Sequence, residues 1–134
     1  MVANIIIVDT SEIIYEGISS ILTNTGHTFN IHQADNLGEM EQISLRTKAE
    51  IIFINPLLIQ NQIKHFQSLK RELTNVHWIG IVYSYLDPQL LTVLDDIINI
   101  NDSRIKIITS IKNPRSEYQN QQQEVLSQRE IDVL

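Results

Sequence analysis

Short, unbroken apolar runs alternate along this chain with stretches whose apolar residues recur at helical spacing. Ile5-Ile6-Ile7-Val8 is a continuous β-branched run that stops at Asp9. Runs of this kind suit strands buried on both faces, as in a parallel sheet covered by helices. Ser11 can cap a following helix with Ile13, Ile14, Gly17, Ile18, Ile21 and Leu22 at helical spacing, closed by Gly26. Phe29 and Ile31 mark a weaker second strand, and Asn36 can cap a helix carrying Leu37, Met40, Ile43 and Leu45 inward. Ile51 to Ile54 is the third strand, and Asn55-Pro56 ends it because proline cannot continue a central strand.

The pattern then repeats. Leu57, Leu58, Ile63, Phe66, Leu69 and Leu73 form a wide helical stripe, and Trp78 to Val82 is a fourth strand ended by Tyr83-Ser84. Asp87-Pro88 reads as an N-cap and first turn, where proline loses no needed hydrogen bond. That helix is short and holds Leu90, Leu91, Val93 and Leu94. Ile97, Ile98 and Ile100 make a fifth strand, and Asp102 or Ser103 starts a helix with Ile105, Ile107, Ile108 and Ile111. Five strand–helix pairs in strict alternation predict a parallel α/β sheet with helices on both faces and right-handed crossovers.

In such sheets ligands bind in the crevice at the carboxyl ends of the strands. The first strand delivers Asp9-Thr10 to that end and the third delivers Asn55, so the two tips should face each other. An amide at the second tip, where a carboxylate would be reactive, predicts a pocket without its reactive group. The four histidines lack metal-ligand spacing, and neither a Gly-x-Ser-x-Gly elbow nor a phosphate-cradling glycine loop occurs. No enzymatic activity is expected.

Composition narrows the setting. The 134 residues suit one domain with one proper core. A net charge of −6 argues against broad electrostatic binding to nucleic acid or anionic membranes. Without cysteine, disulfides and thiolate zinc sites are excluded. No secretory signal is apparent, and no apolar run approaches the ~20 residues that span a bilayer. A cytoplasmic location is the expectation.

After Ile111 the character changes, which predicts a domain over residues 1–112. Residues 113–123 are polar, with Pro114 and a glutamine run, and have linker composition. Residues 124–134 place Ser127 three residues before Glu130, a capping box, with Ile131 and Leu134 opening an apolar face. A helix this short is marginal alone, so the sequence is expected to be cut from something longer.

Three pieces together carry a family likeness: Ile6-Ile7-Val8-Asp9 followed by Glu16-Gly17-Ile18, the strand end from Ile51 to Pro56, and Leu126-Ser127-Gln128-Arg129-Glu130-Ile131-Asp132-Val133-Leu134. The layout resembles a response-regulator receiver domain, with a flavodoxin-like (βα)5 fold, joined by a linker to the start of a LuxR-type helix-turn-helix domain. In an active receiver an acidic pair and the third-strand aspartate hold Mg2+, and that aspartate takes a phosphoryl group. A Thr or Ser after the fourth strand and a Lys after the fifth then bind the phosphoryl oxygens. The resemblance puts Asp9 at the first acid and Thr10 at its partner. Asn55 falls at the phosphoacceptor, Ser84 at the hydroxyl (Tyr83 under a one-residue shift), Asn101 at the lysine, and Ile98 at the aromatic switch position.

These departures imply a degenerate receiver. Mg2+ normally needs carboxylate charge to hold it, and two such ligands are lost, so Mg2+ is not expected. An amide cannot form an acyl phosphate, and Asn101 offers no cation to a phosphoryl group. The resemblance therefore implies a module that regulates or dimerises a DNA-binding transcription regulator without aspartyl phosphorylation, with a regulatory protein or small ligand as possible input. The expected homodimer surface is the fourth helix, fifth strand and fifth helix, including Leu90, Leu91, Ile105 and Ile108. DNA would be reached only through the C-terminal domain begun at residue 124, since paired domains read half-sites about one DNA turn apart. The alternatives are a phosphoacceptor receiver with altered chemistry and a stand-alone protein–protein adaptor.

Overall fold

The structure is a computed structural model, and it describes residues 2–83 and 86–112. The apolar runs form five strands: β1 (Ala3–Val8), β2 (Phe29–Ala34), β3 (Ile51–Ile54), β4 (His77–Val82) and β5 (Asp96–Asn99). All pair in parallel in the order β2-β1-β3-β4-β5. That is the flavodoxin-like order, with its switch point between β1 and β3. The intervening helices are α1 (Glu12–Thr23), α2 (Leu37–Thr47), α3 (Ile63–Glu72), α4 (Pro88–Leu91) and α5 (Arg104–Lys112).

Because strand side chains alternate between faces, the β-branched runs feed two cores. Ile6, Val8, Ile52, Ile54 and Trp78 pack with Leu37 and Met40 of α2 and Phe66 and Leu69 of α3. Phe66 meets Trp78 edge-on, with ring centroids 5.0 Å apart. On the other face Ile5, Ile7, Phe53, Ile79, Ile81 and Ile98 pack with Ile18 and Leu22 of α1 and Ile107 of α5. Each such side chain contributes about 1.5–3 kcal/mol on burial, before chain entropy is set against it. This two-sided burial is why β1 and β3 carry no polar residue between Ile5 and Val8 or between Ile51 and Ile54.

The predicted caps form. Ser11 Oγ accepts from Ile14 N at 3.3 Å, Asn36 Oδ1 from Glu39 N at 2.9 Å, and Asp87 Oδ1 from Gln89 N at 3.0 Å. Ser103, one of the two expected starts of the last helix, accepts from Lys106 N through its hydroxyl. The close expected at Gly26 comes earlier: α1 ends at Thr23 with Asn24 as its C-cap, and Gly26 takes φ 85° in the turn that follows, a left-handed conformation that glycine adopts without strain.

Several expectations are corrected. The stripe from Leu57 to Leu73 is two elements, a 3-10 turn (Pro56–Leu58) and α3, with Leu57 and Ile63 exposed. Ile13 is 83% exposed and Leu45 75% exposed, so neither points inward. In α2 the buried position next to Leu45 is Ser44, because the helix face is fixed by Leu37 and Met40. Ile100 lies beyond the end of β5 and is exposed, as is Ile105 in the first turn of α5. The expected linker over 113–123 and helix over 124–134 lie outside the described residues.

Candidate functional site

The ends of β1 and β3 are aligned by the sheet itself. Val8 pairs with Ala34 on one side and Ile54 on the other, and the ladder runs one residue further. Asp9 N donates to Ala34 O at 3.0 Å, and Asn55 N donates to Val8 O at 3.0 Å. Asp9 and Asn55 therefore sit side by side at the carboxyl edge, and both are buried. The facing tips expected from the sequence are present.

Each side chain is then committed locally. Asp9 Oδ1 accepts from Ser11 N at 2.9 Å, bending the chain into the cap of α1. Asn55 Oδ1 accepts from Leu57 N at 3.1 Å, capping the 3-10 turn in which Pro56 takes the first position. Leu57 N–H needs an acceptor, which turns the Asn55 oxygen toward the 3-10 turn and the NH2 group toward Tyr83.

The partner of that NH2 comes from β4. Tyr83, just past the strand end, is 37% exposed, and its hydroxyl reaches back into the crevice. It accepts from Asn55 Nδ2 at 2.8 Å and donates toward the Asp9 carboxylate, whose oxygens lie 3.3 and 3.2 Å away. Burial of the phenol, the nearby Asp9 charge and the hydrogen bond to Asp9 raise the Tyr83 pKa above its ordinary value of 10.0. The phenol is thus neutral at physiological pH. Carboxylate, hydroxyl and amide are joined in one hydrogen-bonded bridge.

The remaining expected site residues lie elsewhere. Thr10 and Asn101 are exposed, and neither joins the Asp9–Tyr83–Asn55 bridge. Ser84 lies outside the described residues. Of the expected partner surface, Ile105 is exposed and Leu91 and Ile108 are half-buried. Leu90 is 4% exposed and belongs to the core, which corrects its placement on a docking surface. Among the described residues no group of three or more His, Cys, Asp or Glu is placed to hold a metal ion.

Sequence reading gave Tyr83 only as a one-residue alternative, yet a signal for it existed. Ile5-Ile7-Asp9, Phe53-Asn55 and Ile79-Ile81-Tyr83 are rows of period two, and their strand members all line the core facing α1 and α5. Extending each row past its strand brings the three polar groups to the same side of the sheet.

Comparison with known proteins agrees with this geometry at the level of fold. A response regulator from Thermotoga maritima matches with a TM-score of 0.71 at 18% identity, over 84% of this chain and 96% of that one. A response regulator from Desulfuromonas acetoxidans matches at 0.67 and 23% identity, over 82% of this chain and 94% of the other. The fold is that of response-regulator receiver domains. NtrX from Brucella abortus gives a TM-score of 0.72 at 15% identity, and there the match covers 96% of this chain but 29% of that protein. No protein-family model and no curated protein matches the sequence. Within the receiver fold, a buried carboxylate, an amide and a phenol meet at the carboxyl ends of β1, β3 and β4. No helix among the described residues is long and apolar enough to cross a membrane.

Proposed function

We propose that this chain is an atypical receiver module that regulates or dimerises a DNA-binding transcription regulator without aspartyl phosphorylation. The observation that carries the reading is Asn55. It stands at the tip of β3, its Oδ1 capping the 3-10 turn and its Nδ2 donating to Tyr83. Resonance in the amide leaves no oxygen comparable to a carboxylate nucleophile, so no acyl phosphate forms at this tip. Mg2+ does not fit the donor set either. A hard cation seeks several oxygen donors and carboxylate charge. Here Asp9 is the one acid of the bridge, and the amide turns N–H groups toward the place a cation would occupy.

The LuxR-type helix-turn-helix partner is supported by the sequence from Leu126 to Leu134. The proposed mode of action is homodimerisation that sets the spacing of two DNA-binding domains, with a regulatory protein or small ligand as input and the cytoplasm as setting. Leu91, Ile105 and Ile108 remain the proposed contact residues, without Leu90.

The direct test incubates the protein with a small acyl-phosphate donor and Mg2+ and measures intact mass. No added phosphoryl group is expected. A species heavier by one phosphoryl group, lost in Asn55→Ala, would replace this reading with the phosphoacceptor one.

A further inference from the structure

We propose that the Tyr83 hydroxyl is a built-in plug of the pocket, occupying the space between Asp9 and Asn55 in which a cation would have to sit. The inference rests on the reading above that the pocket takes no Mg2+, and it names the group that closes it. Lost carboxylates alone would leave a weakened but open crevice. Here the crevice is filled.

Three observations support it. The hydroxyl oxygen is within hydrogen-bond distance of both Asp9 oxygens and of Asn55 Nδ2. Mg2+ binds oxygen ligands at about 2.0–2.1 Å in a near-octahedral shell that usually keeps several waters. The phenol O–H donates to the Asp9 carboxylate from 3.2 Å, so the Asp9 lone pairs on that side are engaged and a cation there must first displace the hydroxyl. The donors and acceptors also match. A phenol has one proton to give and lone pairs to accept with, and Asp9 takes the proton while Asn55 supplies the N–H. Finally, one side chain ties the tip of β4 to those of β1 and β3, across sequence separations of 74 and 28 residues. The plug is therefore held by the sheet and not by its local segment.

The consequence is that restoring acids is insufficient to open the site. The test compares Mg2+ binding by isothermal titration for T10D/N55D and T10D/N55D/Y83A, with folding of each verified by circular dichroism. The triple variant is expected to bind roughly tenfold tighter or better, since it alone frees the volume that the cation and its waters need. Equal affinity in the two variants rejects the plug. So does absence of binding by a folded triple variant, because removing the phenol would then not have opened the site.

A second measurement covers the case in which the acidic variants do not fold. In Tyr83→Phe of the otherwise natural chain, the side-chain NH2 resonances of Asn55 should shift far more than those of other asparagines. Unmoved Asn55 signals would also overturn the proposal. Neither readout involves phosphorylation, so a phosphorylatable natural chain would defeat the functional reading through a different result.

Discussion

The centre of the sheet and its β5 edge end in different ways. At the centre, β1 and β3 are flanked on both sides and pass directly into Asp9 and Asn55, which are buried and bridged by Tyr83. At the edge, β5 stops at Asn99, and Asp102 folds the chain back by accepting from Asn99 N at 2.7 Å. That turn leaves Ile100 and Asn101 exposed. Receiver chemistry would need both regions to cooperate on one phosphoryl group. In this protein the centre is a closed polar bridge, and the edge is an ordinary surface turn. The difference shows that the polar residues at the two places are not equivalent. Asp9 and Asn55 at the centre hold the strand tips together, whereas Asn101 at the edge faces solvent.

Substitutions can break or sharpen this contrast. The largest effect is expected for Phe53→Ala, which empties a fully buried position in the middle of β3 and should cost about 3–5 kcal/mol. Ile100→Ala at the edge should stay within about 0.5 kcal/mol. Urea unfolding of both variants tests this, and comparable losses would mean that the edge is as structural as the centre.

Next comes Asn55→Leu, which leaves Leu57 N without its cap and removes the donor to Tyr83. A loss of about 1–3 kcal/mol is expected in the same assay. A neutral result would mean that the bridge has no stabilising role.

Tyr83→Phe keeps the ring and removes the hydroxyl, and should cost about 0.5–1.5 kcal/mol, at the lower end because the residue is partly exposed. The same hydroxyl predicts a pH effect. The phenol pKa is raised in the folded state, chiefly by burial and then by Asp9. Between the unfolded value and the raised one, the native state binds more protons than the unfolded chain, so stability falls as pH rises. The Tyr83 contribution is fully present below the unfolded value and disappears as pH passes the folded value. Thermal melts of the natural chain and Tyr83→Phe should therefore converge in alkali. Curves that stay parallel through that window would place the tyrosine outside the bridge.

The smallest effect is expected for Asn101→Lys. It places a cation at the edge without reaching the centre, and should change stability by less than about 0.5 kcal/mol and add no phosphoryl transfer. A measurable gain in phosphorylation would show that the two regions still communicate.

The elements were legible because their signals are local. Runs such as Ile5 to Val8, short and β-branched, favour two-sided strands, and the side chains of Ser11, Asn36 and Asp87 act on N–H groups two or three residues away. Helix faces were read less well. Ile13 and Leu45 fit the spacing, yet α1 is fixed by Ile18 and Leu22, and α2 by Leu37 and Met40, so both turn outward. Leu90 shows the reverse. Four residues of helix leave too little periodicity to assign a face, and packing drew this leucine inside.

For the site, the chain alone determined which chemical groups stand at the strand tips: an acid after β1, an amide after β3 and no lysine directly after β5. It also determined that the Asn55 amide has no oxygen comparable to a carboxylate nucleophile, since that follows from bonding and not from surroundings. Tertiary structure decided what those groups do. Asp9, Asn55 and Tyr83 are far apart along the backbone, and their meeting depends on β3 lying between β1 and β4 in parallel register. Side-chain reach across neighbouring strands is set by that order, and no local pattern encodes it.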